Sequence, residues 1–115
     1  MIVVYGISTC DTVKKARAWL AAEGVAYQFH DFKKQGVPVD RLDHWLAEVG
    51  WEKLLNRQGT TWRKLDPLRQ AAVRDAASAK VLMLEQPSVI KRPVLEREGR
   101  TSVGFDAAQW GDGAR

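Results

Sequence analysis

A single cysteine, Cys10, stands among 115 residues, and one thiol closes no internal disulfide. A small secreted domain stapled by bridges is therefore excluded, and the chain is expected in a reducing cytoplasm. Histidine is nearly as scarce. His30 and His44 have no partners at metal-ligand spacing, so no metal is expected. No window approaches the ~18 apolar residues that a membrane-spanning helix needs. The opening Met1-Ile2-Val3-Val4-Tyr5-Gly6 also lacks the basic region and long apolar stretch of a signal peptide. The sequence thus predicts no membrane association. Low-complexity segments, internal repeats and polybasic runs are missing too. The 18 Lys plus Arg outnumber 14 Asp plus Glu, a formal charge of +4 that admits acidic ligands but falls short of a nucleic-acid-binding tail. No nucleic-acid partner is expected, and with no strong apolar seam visible the default is a monomer. The long polar stretches are Gln58-Gly59-Thr60-Thr61 and Gly111-Asp112-Gly113-Ala114-Arg115, so no linker is read and one domain over 1–115 is expected.

What is present is a sequence of short, well-punctuated elements. Ile2-Val3-Val4-Tyr5 is an apolar run stopped by Gly6, a first strand buried on both faces if its neighbours are parallel. Residues 11–23 follow as a helix, with Val13, Ala16 and Leu20 at helical spacing, Ser8 or Thr9 as cap and Gly24 as stop. Residues 25–32 read as a second strand, completing a βαβ unit with parallel strands. Asp40 is a candidate cap for a helix through Val49, stopped by Gly50. Asp66-Pro67 opens a further helical stretch, expected as two short helices with a break near residues 76–78 and an end at Pro87. Pro93-Val94-Leu95-Glu96 and Thr101-Ser102-Val103-Gly104, separated by Glu98-Gly99-Arg100, look like a hairpin, and Asp106 caps a last helix through Trp110. The order βαβ, helical insert at about 38–86, then ββα predicts an α/β protein of thioredoxin-like fold with a mixed four-stranded sheet.

Within that plan Cys10 falls where the first helix begins. Backbone N–H groups and the positive end of the helix dipole point at such a position and favour the thiolate, which is the attacking species. Lys14, one turn on, adds positive charge, while Asp11 opposes it. Val13 occupies the place where a Cys-x-x-Cys pair would have its second sulfur, so Cys10 depends on an external thiol for resolution. The topology also brings the segment entering the third strand beside this helix start. Arg92 is thereby placed near Cys10 as an anion-binding, thiolate-stabilising group, and the Arg92-Pro93 bond is a candidate cis peptide. The stretch Asn56-Arg57-Gln58-Gly59-Thr60-Thr61-Trp62-Arg63-Lys64 gathers basic and polar residues around one Trp. It reads as a solvated loop or as a rim that binds acidic ligand groups.

Tyr5-Gly6-Ile7-Ser8-Thr9-Cys10-Asp11-Thr12-Val13-Lys14-Lys15-Ala16, together with Leu54-Leu55-Asn56, Gly59-Thr60-Thr61-Trp62-Arg63-Lys64-Leu65 and Ile90-Lys91-Arg92-Pro93, resembles the arsenate reductase (ArsC)/Spx family, most closely its YffB branch. The resemblance spans Ile2 to about Trp110. It implies a thioredoxin-like domain with a helical insert, a nucleophilic Cys10 and a cis bond at Arg92-Pro93. Glutathione-coupled arsenate reductases of this family surround the oxyanion with three arginines. Here Arg92 matches, while Asn56 and Gly104 stand at the other two positions. Spx regulators, which bind the RNA polymerase α subunit, often carry a Cys-x-x-Cys switch that Val13 removes here. The YffB branch implies a glutathione-dependent thiol reductase. On that expectation Cys10 and Arg92 are catalytic, and Thr9, Lys14, Arg63, Arg92 and Pro93 bind substrate. Glutathione is then the co-substrate, and a disulfide or glutathione mixed disulfide is the partner. Oxyanion reduction and an Spx-like binding module are the alternatives.

Overall fold

In the computed structural model, which describes residues 1–114, the elements run β1 (Ile2–Gly6), α1 (Asp11–Ala22), β2 (Tyr27–Asp31), α2 (Phe32–Gln35), α3 (Val39–Val49), α4 (Trp51–Leu54), α5 (Thr60–Arg63), α6 (Pro67–Ala71), α7 (Ala76–Glu85), β3 (Val94–Arg97), β4 (Arg100–Val103) and α8 (Ala107–Ala114). They fall into two compact units, one of Met1–Gly36 with the chain from Arg92 onward, the other Val37–Lys91.

The first unit is a mixed four-stranded sheet in the order β2-β1-β3-β4. β1 runs parallel to β2, with Ile2 opposite Tyr27 and Gly6 opposite Asp31, and antiparallel to β3, with Tyr5 opposite Val94. This is the expected thioredoxin-like plan. The parallel pair requires a crossover, which α1 supplies. α1 ends in a Schellman arrangement. Gly24 takes φ 69°, its N–H donates to Ala21 O, and Val25 N–H donates to Leu20 O. β2 begins two residues later than the sequence suggests, because Val25 is engaged in that cap. Ile2, Val4, Ala16, Leu20, Leu95 and Trp110 form a core between the sheet and the helices. Trp110 meets Trp19 and Phe105 edge-on, with centroids 6.1 and 4.9 Å apart. β3 and β4 join through Glu98 and Gly99 at φ 50° and 78°, a two-residue turn with both centres left-handed. Arg100 therefore belongs to β4 rather than to the turn. Asp106 caps α8 as expected, accepting from Ala108 N–H at 3.0 Å. The helix extends past Trp110 to Ala114.

One glycine in this unit has no room for a side chain. A Cβ on Gly6 would meet Val13 Cγ2 at 2.7 Å, and Val13 is fully buried. Gly6→Ala is therefore expected to lower unfolding stability by about 1–3 kcal/mol through overpacking, read as a lower urea midpoint at an unchanged slope. An unchanged midpoint would show that the strand-to-helix approach is looser than described.

The second unit is helical. α3 buries Leu42, Trp45 and Leu46, and α7 buries Ala79, Leu82 and Met83. The segments flanking the unit's short helices are tied by a bridge between Leu55 and Ile90, with Lys91 N–H donating to Leu54 O at 2.7 Å. Three expectations shift here. α3 begins at Val39 with Pro38 as its cap residue, so Asp40 lies in the first turn, where its charge still suits the helix dipole. The break between α6 and α7 falls at residues 72–75, not 76–78. Asp75 and Ser78, which disfavour a helix interior, form a capping box that starts α7. The polar stretch around Trp62 is not wholly loop, since α5 occupies its middle. No helix among the described residues is long and apolar enough to cross a membrane.

Candidate active site around the Cys10 thiol

The site grows out of the end of β1. After Gly6 the chain turns, Cys10 N–H donating to Ile7 O at 3.0 Å across Ser8 and Thr9. Cys10 closes that turn and is itself the N-cap residue of α1, with extended backbone (φ −74°, ψ 125°), while its C=O accepts from Lys14 N–H at 2.9 Å. Neither Ser8 nor Thr9 holds the cap position. The sulfur stands where a capping oxygen would, facing the unpaired amides of the first turn.

β3 brings the cation. Val94 pairs with Tyr5, so the chain two residues earlier passes the turn beyond β1, and that residue is Arg92. The Arg92-Pro93 peptide is cis, and Pro93, fully buried, accepts from Gly104 N–H at 2.9 Å. The half-buried thiol feels opposing influences. Burial pushes its pKa up, but hydrogen bonds from Val13 N–H, from the Arg92 guanidinium with its positive charge, and from Thr12 N–H outweigh it. The net result is a Cys10 pKa below the ordinary thiol value. The arrangement therefore favours the thiolate more than an ordinary cysteine does.

Of the other expected site residues, Thr9 is exposed in the turn next to Cys10. Lys14 is exposed on α1, touching the site through its backbone N–H; the groups named above, rather than its ammonium, lower the pKa. Arg63 is exposed at the end of α5 in the helical unit. In that unit Arg57 lies over the rings of Trp51 and Trp62, its guanidinium carbon 5.4 and 5.9 Å from their centroids. Among the described residues no group of three or more His, Cys, Asp or Glu is placed to hold a metal ion. Asp31 sits buried at the end of β2, opposite Gly6.

The chain is 52% identical to the solved YffB (PA3664) protein, with all of both chains covered and a TM-score of 0.94. It is 55% identical to a solved arsenate reductase (ArsC) related protein from Brucella melitensis, over 96% of this chain and 92% of that one, with a TM-score of 0.78. An uncharacterized protein of Haemophilus influenzae is 37% identical over 96% of both chains. The global transcriptional regulator Spx of Streptococcus pyogenes is 27% identical over 92% of this chain and 79% of its own. The ArsC family model matches residues 5–112, nearly the whole sequence, and with the thiol and its arginine in place the chain belongs to the ArsC family.

Proposed function

We propose that this protein is a glutathione-dependent thiol reductase with Cys10 as its one nucleophile. The observation that carries the reading is Cys10 at the head of α1, its pKa lowered by the Val13 and Thr12 amides and by Arg92, with no second cysteine in the chain. The Cys10 thiolate attacks the glutathionyl sulfur of a mixed disulfide, forming the Cys10–glutathione disulfide and releasing the substrate thiolate. A glutathione thiolate then attacks that glutathionyl sulfur, releasing oxidised glutathione and regenerating the Cys10 thiolate. Electrons balance, with two glutathionyl groups leaving as one disulfide. Arg92 favours the thiolate and takes a glutathione carboxylate, Lys14 takes another, and Thr9 with the backbone beside Pro93 lines the tripeptide. Arg63 carries no step in this cycle.

Two features separate this reading from oxyanion reduction. Gly104, at one of the family's other arginine positions, has φ 81°, and Asn56 stands at the second. The likeness to Spx supports a regulatory module as the competing class, but Val13, fully buried at the would-be second cysteine, leaves no dithiol switch. The deciding experiment compares three arms. The reading predicts that a glutathionylated peptide is reduced by glutathione faster with the protein than without it. It predicts no arsenate turnover with glutathione and glutaredoxin. It also predicts no stoichiometric polymerase partner retained by Cys10→Ser. Arsenate turnover, or such a partner without thiol transfer, would overturn it.

A further inference from the structure

Arg97 and Arg100 are cross-strand partners, directly opposite one another where β3 and β4 meet the Glu98-Gly99 turn. Side chains paired in this way have Cβ atoms about 4.5–5.5 Å apart, and two like charges so placed cost stability rather than supply it. Among the described residues neither guanidinium has an ion-pair partner. Alternation along the strands puts Leu95 on the same sheet face as Arg97, and Ser102, opposite Leu95, on that face beside Arg100. α8 packs on this face, since Leu95 and Trp110 belong to one core cluster. Between the hairpin and α8 a cleft of about 240 Å³ remains. The nearly buried Leu95 and Trp110 give it apolar walls, Ser102 and Gln109 give it polar ones, and the two arginines stand where it meets solvent.

The cleft lies at the end of the sheet away from the thiol. β3 starts beside Tyr5, at the Cys10 end of β1, and runs back past Val3 before turning at Glu98. We propose that this cleft binds a small organic carboxylate with a flat apolar body, the carboxylate held in the fork of Arg97 and Arg100 and the body laid against Leu95 and Trp110. Each guanidinium presents paired N–H donors that match carboxylate oxygens, so an anion set between the two replaces a repulsion with charge-assisted hydrogen bonds. Size sets the body. The cleft exceeds the ~150 Å³ of a cavity known to hold benzene, so a two-ring ligand fits. Apolar walls with a few convergent polar groups are the usual make-up of a small-molecule site, and the Ser102 hydroxyl and Gln109 amide are the groups that would orient the ligand. Glu98 also lines the cleft, and its carboxylate opposes the two arginines. Two positive charges against one negative leave one positive charge, which suits a monoanion better than a phosphate dianion.

The test is a titration of the full chain with 2-naphthoate, followed through the backbone amide signals by NMR and expected to saturate at about millimolar concentration or below. The shifts should gather at residues 95–102 and at Gln109 and Trp110, while the amides around Cys10 stay where they are. The neutral isostere naphthamide and inorganic phosphate should each bind about tenfold more weakly or worse, one lacking the charge and the other the apolar body. Arg97→Gln and Arg100→Gln should each weaken naphthoate binding by about fivefold or more. Neither should lower the urea midpoint, because each relieves the like-charge pair. That readout separates a ligand site from a structural pair, and a lower midpoint in both variants overturns the proposal. Equal binding of naphthoate and naphthamide, or unchanged binding by both variants, removes the arginine fork and overturns it too. So does phosphate bound as tightly as naphthoate, since the apolar walls then add nothing. Shifts that are absent or scattered over the surface overturn it as well, and an acidic peptide that binds here where naphthoate does not gives the cleft to a protein partner instead.

Discussion

Cys10→Ser is expected to lower glutathione-dependent reduction of a mixed disulfide by at least about 10³-fold, as removal of an enzyme's nucleophile commonly does. A hydroxyl ionises far less readily than a thiol at neutral pH and does not form the mixed disulfide on which the cycle depends. The loss should be chemical rather than structural. Serine differs from cysteine by one atom, the position is half buried, and an N-cap is a place where serine is favoured. The unfolding midpoint should therefore stay within about 1 kcal/mol of wild type, or rise. Turnover is measured as oxidised glutathione formed from a glutathionylated peptide, beside urea unfolding of both proteins. A variant that keeps a tenth of the activity would show that the thiol is not the attacking group.

Arg92→Ala is expected to act on the same thiol by a different route. Its guanidinium donates to the sulfur and its charge favours the anion, so its removal leaves burial opposed by the Val13 and Thr12 amides alone, and the Cys10 pKa rises. The sign follows for the rate. Wild type reacts at a constant rate above its lowered pKa and loses reactivity as pH falls through it. The variant keeps that plateau only at higher pH and loses tenfold per pKa unit at any pH below both values. Glutathione affinity should also weaken by about tenfold or more, since a charge-assisted hydrogen bond is worth ~1.5–3 kcal/mol. Arg92→Lys should recover part of the pKa effect, keeping the charge but not the guanidinium's paired donors. The pH profile of kcat/KM and glutathione titration calorimetry read the two effects. If Arg92→Ala left both the acid limb and the affinity unchanged, the role given to Arg92 would be wrong.

Much of this fold was legible because its elements carry local signals. The apolar run of β1, the Val13, Ala16 and Leu20 spacing of α1 and the Gly24 stop are decided within a few residues, and the structure places them as read. The misplacements came where two local rules competed. Ser8, Thr9, Asp40, Asp75 and Ser78 all favour caps and disfavour helix interiors, and composition alone does not say which role wins. At Asp75 and Ser78 the reciprocal bonds of a capping box turn an expected break into a start. Ser8 and Thr9 fall inside the turn that Cys10 closes, and Cys10 itself takes the cap position.

The thiol and its arginine were legible for a topological reason, since an antiparallel third strand must enter beside the end of the first. The Lys14 ammonium is not among the groups that lower the Cys10 pKa, because sequence spacing gives the helix face but not the reach of a side chain. The pairing of Gly6 with Asp31 was not legible at all, because a single sequence does not fix the β1–β2 register before the strand ends are known.

The central claim is that Cys10 is a glutathione-directed thiolate, and the pH dependence of its alkylation by iodoacetamide, with and without glutathione, tests it most directly. The account predicts a pKa well below the reference of about 8.5, together with protection of the thiol by glutathione. A pKa at or above that reference, with no protection, would contradict it and leave Cys10 a structural residue.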